Sequence, residues 1–150
     1  MCAMLIGKDE LCGLIPHAGS MCLLESVLGW DAREIRCSAT SHTGTANPLR
    51  SNGRLASVHL LEYGAQAMAV HGGLLARESG TRIRPGYLAA RRDVMLQQDF
   101  IDHITAPLLV HARMIAALTG SFMYRFTISA GNEMLANARA TVIDPQARTR

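Results

Sequence analysis

Lysine and aromatic side chains are scarce in this sequence, and both shortages limit the kinds of molecule that the protein is expected to bind. The net charge is only +3. Lys8 is the single lysine, so nearly all of the positive charges are arginines. Aromatic residues make up 5% of the chain, and no basic run is interleaved with them. Nucleic-acid binding usually needs a concentrated basic patch and often aromatic stacking platforms. The composition therefore argues against a nucleic-acid-binding protein.

The four cysteines lack any spacing that is typical of a metal site. Cys2, Cys12, Cys22 and Cys37 are ten, ten and fifteen residues apart, and they include no CxxC pair. These spacings match no zinc pattern. A secretory signal is also missing, because charged residues follow a very short apolar stretch at the N-terminus. We therefore expect reduced thiols and a cytoplasmic protein.

The longest stretch with little charge runs from Ala56 to Ala76, where Glu62 is the only formal charge. Histidine and glutamine interrupt the stretch, so it does not predict a membrane span. As a helix it would be about 30 Å long and apolar or small nearly all round, which predicts burial. A carboxyl in a buried helix must be neutral, paired or functional. Glu62 is therefore the first candidate for a functional residue.

The rest of the chain predicts strands on both sides of this single helix. A hairpin is predicted over 22–30 and 33–40, and a loop over 42–54 leads into the helix. Later strands are predicted over 83–100, 108–118, 122–128 and 133–143. Strand runs around one helix indicate an α+β fold. A curved antiparallel sheet wrapped around one long central helix is the hotdog architecture, and we predict it as a single domain over 1–150.

Two motifs accompany this pattern. One is Pro16-His17 ahead of a Leu- and Val-rich run, in HAGSMCLLESV; the other is Glu62 with Gln66 one helical turn later, in LLEYGAQAMAVHGG. Together they resemble the hotdog-fold 3-hydroxyacyl-[acyl-carrier-protein] dehydratases, the family of FabZ. The match is closer to the ApeP-like branch from aryl polyene gene clusters. That similarity extends over about 15–144 and includes HAGSM, NPLR, GRL, RPGYLAARRDV and ARATVID.

The resemblance implies a hydro-lyase that converts a carrier-bound 3-hydroxyacyl thioester to the trans-2-enoyl thioester, with no cofactor of its own. His17 would be the base at C2, and Glu62, kept protonated by burial, would be the acid for the C3 hydroxyl. Backbone N–H groups of Ser57 and Val58 would bind the thioester oxygen. Gln66 would orient the Glu62 carboxyl. Ser57 stands where the fatty-acid dehydratases have glycine, which leaves less room there.

Partner surfaces follow from the same resemblance. In the family the histidine and the glutamate usually come from different subunits, so we expect a homodimer or a heterodimer with a second hotdog protein. An arginine cluster near the end of the helix is a candidate surface for an acidic carrier protein: Arg82, Arg84, Arg91 and Arg92. The plainer interpretation is that these arginines are solvated strand faces.

Three other interpretations remain open. A thioesterase on the same fold would use the carboxylate to activate water and would not need His17. A non-catalytic hotdog subunit would stabilise a partner dehydratase. His59 and Glu62 form an H-x-x-E pair, which is a metal-binding spacing, but no third ligand accompanies them.

Overall fold

A computed structural model describes residues 5–15, 21–80 and 87–143 of the chain. A short helix α1 (Lys8–Cys12) precedes a hairpin of β1 (Ser26–Trp30) and β2 (Glu34–Ala39). A 3₁₀ turn over Ser57–His59 leads into the long helix α2 (Leu60–Glu78). Four longer strands follow: β3 (Tyr87–Leu96), β4 (Leu108–Leu118), β5 (Ser121–Ala130) and β6 (Glu133–Ile143).

The described strands form one curved antiparallel sheet around α2, in the order β1-β2-β4-β5-β6-β3. The hairpins between β4 and β5 and between β5 and β6 turn at Gly120 and Gly131. Both glycines have positive φ angles, 78° and 60°, which other residues rarely adopt. One long helix against one curved antiparallel sheet confirms the predicted α+β hotdog fold.

Small residues of α2 allow close contact with its neighbours, as the sequence predicts. A Cβ at Gly64 would overlap the ring of Phe126, which is buried on β5. A Cβ at Gly73 would come within 3.3 Å of the Leu14 carbonyl oxygen. These two glycines therefore set how closely the sheet and the backbone at Leu14 approach the helix.

One stripe of α2 and its preceding turn is not fully buried. It holds Val58, Glu62, Ala65, Ala69, Gly72 and Ala76 at helical spacing, with Val58 49% exposed and Gly72 also exposed. The prediction that this helix is buried all round is wrong for this stripe in the single chain. Among the described residues no element covers it, while the other faces pack against the sheet.

Two predicted strands have different limits in the structure. The first was predicted from residue 22, but β1 begins at Ser26. The segment Met21–Leu24 is instead bound by the side chains of Lys8 and Gln66. The strand predicted over 83–100 is shorter, since β3 covers Tyr87–Leu96. Residues 81–86 lie outside the described part of the chain.

The prediction of reduced thiols is wrong for Cys12 and Cys22, which form a disulfide. This bond joins the end of α1 to the segment ahead of β1. Cys37 is a free, buried thiol, and burial raises its pKa to about 12. Cys2 lies outside the described residues. Because disulfides are rare in the cytosol, the cytoplasmic location stays a prediction. None of the described helices is long and apolar enough to cross a membrane.

Candidate active site

Gln66 joins helix α2 to the segment Met21–Leu23. Its Oε1 accepts a hydrogen bond from the backbone N–H of Leu23 at 2.9 Å, and its Nε2 donates to the carbonyl oxygen of Met21 at 2.6 Å. Nε2 also lies 3.2 Å from Oε1 of Glu62, one turn earlier on the helix. The side chain is 2% exposed. Gln66 thus holds the Glu62 carboxyl and the entry segment in a fixed relation.

Glu62 is half-buried and belongs to the incompletely covered stripe of α2. Its helix position, set by the four-residue spacing to Gln66, places both side chains on one side of the helix. The carboxyl therefore combines an orienting hydrogen bond with access from outside the single chain. That arrangement suits a group that exchanges a proton with a bound molecule.

Tyr63 takes part in a second set of hydrogen bonds to the same segment. The Ser41 hydroxyl donates to the carbonyl oxygen of Leu23 at 2.8 Å, so its only hydrogen is used. The Tyr63 hydroxyl, 2.8 Å from Ser41 Oγ, must then donate to it, and it accepts from Asn47 Nδ2 at 3.2 Å. Burial raises the pKa of Tyr63, which keeps this donor protonated.

Lys8 completes the anchoring of the segment. Its Nζ donates to the carbonyl oxygens of Cys22 at 3.1 Å and Leu24 at 2.8 Å. These bonds pair two backbone carbonyl oxygens of the segment, and the Cys12–Cys22 disulfide ties the same segment to α1. Sequence reasoning missed this role, although the presence of a single lysine in the chain was a signal.

His17 lies outside the described residues, so its position relative to Glu62 stays a prediction. The anchored segment that begins at Met21 follows four residues after it in the sequence. Residue 15 on the other side is described and buried. The chain on both sides of the predicted catalytic histidine is therefore held in place.

The start of the long helix is fixed by a short antiparallel contact with residues after β3. The Ser57 N–H donates to the carbonyl oxygen of Asp99 at 2.8 Å, and the Ile101 N–H donates to that of Leu55 at 2.9 Å. Ala56 occupies the N-cap position of this turn. The Ser57 N–H is already used in this contact, so of the two predicted oxyanion donors Val58 is the one that remains a candidate.

Asp102 strengthens the same contact. Its carboxylate accepts from the Leu55 N–H at 3.1 Å and from Arg54 Nε at 3.1 Å. The Leu55 hydrogen bond, followed by that of Arg54, lowers the pKa of Asp102. The Arg54 guanidinium also lies 3.9 Å above the ring of Phe100.

The predicted arginine cluster does not form one patch at the two positions that the structure describes. Arg91 pairs in register with Ala140, which is buried, and Arg92 pairs with Arg139 on the outer face. Successive residues of a strand point to opposite faces. Arg91 and Arg92 therefore lie on different sides of the sheet. Arg82 and Arg84 lie outside the described residues.

The remaining histidines do not indicate a metal centre. Across 5–15, 21–80 and 87–143, no group of three or more His, Cys, Asp or Glu residues could hold a metal ion. His71 is buried between the Tyr124 hydroxyl, 2.7 Å from Nδ1, and the Asp31 carbonyl, 2.8 Å from Nε2. His42 is buried with Nε2 at 3.0 Å from the carbonyl oxygen of Ala106. These two side chains make structural hydrogen bonds within the core.

Solved structures share this fold. The dehydratase heterocomplex ApeI:P from Xenorhabdus doucetiae matches with a TM-score of 0.80 at 22% identity, over 93% of this chain and 91% of that chain. Zebra fish thioesterase superfamily member 2 matches with a TM-score of 0.64 at 14% identity, over 91% of this chain and 94% of that chain. The E. coli PaaI protein from the phenylacetic acid degradation operon matches with a TM-score of 0.57 at 14% identity, over 78% of this chain and 80% of that chain. At such identities these likenesses show the hotdog fold alone.

A comparison with family models goes further. A search of curated proteins gives no match. The family model described as ApeP-like, the ApeP dehydratase, matches residues 10–150. That range contains His17, the long helix and the six strands of the described residues, and it confirms the resemblance seen in the sequence motifs. The chain belongs to the ApeP-like dehydratase family.

Proposed function

We propose that this dehydratase acts on 3-hydroxyacyl thioesters bound to a carrier protein and forms the trans-2-enoyl thioester. The observation that carries the proposal is the Gln66 side chain, which binds the Glu62 carboxyl and both backbone groups of the segment that follows His17. Such a link fixes the Glu62 carboxyl of one site and, in the same chain, the segment after the His17 that would serve the second site of the dimer. The family match supports dehydration as the reaction class.

In the proposed reaction His17 accepts the C2 proton, and the C2–H electron pair forms the C2–C3 double bond. The C3–O bond breaks as Glu62, in its protonated form, gives a proton to the departing hydroxyl, which leaves as water. The Val58 N–H, at the positive end of the helix, stabilises the charge on the thioester oxygen. Each general acid or base contributes about 10²–10⁴-fold to such a step.

The same proposal includes a second hotdog subunit, in a homodimer or a heterodimer. The exposed stripe of α2, which includes Glu62, supports a covering partner. So does the edge strand β3, which exposes Val94, Met95 and Leu96 by 41%, 54% and 37%. The similar ApeI:P structure is itself a heterocomplex. We propose that His17 and Glu62 of one site come from different subunits and lie about 4–8 Å apart, which leaves hydrogen-bond reach on each side of the substrate.

Arginines near the end of α2 would attract the carrier. Arg91, Arg82 and Arg84 belong to this part of the proposal, whereas Arg92, predicted with them, lies on the outer face of the sheet and is left out of it. Because exposed charges act mainly on encounter, reversing them should raise KM for carrier-bound substrate more at low than at high salt. A short pantetheine thioester should be unaffected.

The test uses the purified protein, alone and with a second hotdog subunit, and follows both enoyl formation and free thiol. The wild type should interconvert the hydroxyacyl and enoyl thioesters without releasing thiol. His17→Ala and Glu62→Gln should each lose about 10²-fold or more of the activity. The double variant should be scarcely worse than the poorer single one, since the pair acts as a unit. His103→Ala, at an exposed position, is the matched control and should keep full activity.

Other outcomes would replace the proposal. Thiol release without an enoyl product would indicate the thioesterase. If turnover requires the second hotdog subunit and both single variants are fully active in that complex, the chain is a non-catalytic subunit. Full activity of either single variant would reject the assigned pair.

A further inference from the structure

The face of the sheet that points away from α2 carries a row of four arginines, one on each of four adjacent strands. Arg139 of β6 lies between Arg92 of β3 and Arg125 of β5 in register. Arg125 in turn lies opposite Arg113 of β4. Arg125 is exposed and follows Tyr124 and precedes Phe126, which are both buried toward the helix. Cross-strand partners project from the same face, so the arginine row is on the outside.

Few carboxylates neutralise the arginine row. Among the described residues Asp93 pairs with Arg139, with Nε at 2.7 Å from Oδ2. Glu34 is the register partner of Arg113, but its carboxylate lies 3.0 Å from the guanidinium of Arg36. Asp31 also interacts electrostatically with Arg113. Four arginines with these few acidic neighbours still leave the row with an excess of positive charge. Arg139 itself is still 38% exposed.

The isolated chain gains no stability from this alignment. Like charges directly opposite one another on neighbouring strands destabilise a sheet. Arginine also presents a rigid fork of donors that matches carboxylates. A cost to the chain, combined with a regular array of carboxylate-binding groups, indicates a ligand outside the chain.

The spacing of the row identifies the kind of ligand. Adjacent strands lie about 4.8 Å apart, so four strands span about 14 Å. One helical turn rises about 5.4 Å, so carboxylates at i, i+4, i+7 and i+11 span roughly 16 Å on one side of a helix. We propose that the arginine row binds an acidic helix of a protein partner, which lies across β3, β6, β5 and β4 with one carboxylate per turn.

The neighbouring side chains on this face favour a helix over nucleic acid. Met123 and Thr141 are cross-strand partners two residues from Arg125 and Arg139, and both are half-buried. They offer a small apolar border to a helix rather than an aromatic platform for bases. The surface lies on the face of the sheet opposite α2 and Glu62. The inference therefore stands or fails independently of the proposed dehydration.

The test uses the full chain and a labelled, Ala-based helical peptide of about 16 residues with Glu at i, i+4, i+7 and i+11. A peptide of the same composition, with its Glu residues distributed around the helix, is the control ligand. Fluorescence anisotropy should show tighter binding of the ordered peptide, weakened by salt. Arg125→Glu should raise its Kd about tenfold, because one pair is lost and a repulsion is added.

Arg33→Glu is the matched control variant, since it makes the same charge change at an exposed position in the β1–β2 turn. It should leave Kd nearly unchanged. Arg125→Glu should also keep or raise the melting temperature, because it replaces two like-charge neighbours with attractive ones. A lower melting temperature, equal binding of both peptides, or an equal effect of Arg33→Glu would overturn the proposal. Binding that depends on Arg125 but occurs only with anionic vesicles or duplex DNA would overturn it as well.

Discussion

Nε2 of Gln66 lies 3.2 Å from the Glu62 carboxylate and 2.6 Å from the carbonyl oxygen of Met21, so one amide group connects the acid to the entry segment. The other end of the same amide accepts the Leu23 N–H at 2.9 Å. The glutamine amide offers two N–H donors and one oxygen acceptor in one plane, which these three contacts require. The geometry explains why glutamine stands one turn after the glutamate.

Gln66→Ala should therefore lower the free energy of unfolding by about 2–3 kcal/mol, since it leaves the buried Leu23 N–H and the partly buried Met21 carbonyl without this partner. The turnover should fall as well, because Glu62 and the segment after His17 lose their common support. Urea denaturation and initial rates measure the two effects. Gln97→Ala, at an exposed position, is the control and should change neither. A stable but inactive Gln66→Ala variant would mean that the amide acts on Glu62 alone.

Gly64 and Gly72 form a matched pair on one helix. Gly64→Ala should destabilise the fold by about 1–3 kcal/mol, because the added Cβ overlaps the buried Phe126 ring. Gly72→Ala has no atom within 4 Å of its new Cβ, and it should stabilise the single chain by up to about 1 kcal/mol through helix propensity. Thermal melts of the unpartnered chain compare them. Equal effects at both sites would contradict the close contact of α2 with β5.

Stability should fall as the pH drops below neutrality. Burial lowers the pKa of both His71 and His42 below the usual 6.5. The unfolded chain then takes up protons near pH 6.5 while the folded chain does not. This proton uptake stabilises the unfolded state relative to the folded state. The two contributions are complete above pH 6.5 and are lost as the pH falls from there toward the folded pKa values. Denaturation curves between about pH 7.5 and 5 measure this slope.

NMR titration of the imidazole signals supplies the residue-level check. His71 and His42 should titrate below 6.5, and His71→Gln should flatten the slope of stability against pH. His103→Ala, which changes an exposed histidine, is the control variant. An ordinary midpoint for both buried histidines would contradict the prediction.

Reduction of the Cys12–Cys22 disulfide should destabilise the entry segment. A loop of this length contributes roughly 2–3 kcal/mol by restricting the unfolded chain. Cys12→Ser and Cys22→Ser should show this loss without reductant, and neither should respond further to it. Thiol titration under native conditions checks the bond itself. If Cys12 and Cys22 both titrate as free thiols in protein purified without reductant, the bond is absent.

Much of the fold was predictable from local patterns. The long run of small and apolar residues predicted α2, and the four-residue spacing of Glu62 and Gln66 placed both on one side of it. Period-two alternation and glycine turns predicted β4, β5 and β6 to within about two residues. These features depend on neighbours in sequence, which is why the sequence alone determines them.

Tertiary structure decided the features that depend on distant residues. Met21–Leu24 has the composition of a strand, but Gln66 and Lys8 bind its backbone from elsewhere in the chain. The pairing of Cys12 with Cys22 depends on where α1 lies, not on their spacing. The arginine row exists only through the registers of four strands, and a register shift of one residue would turn a strand's arginine to the opposite face. Hydrogen bonds, disulfides and registers between segments far apart in sequence are set by the packed fold, so no local pattern specifies them.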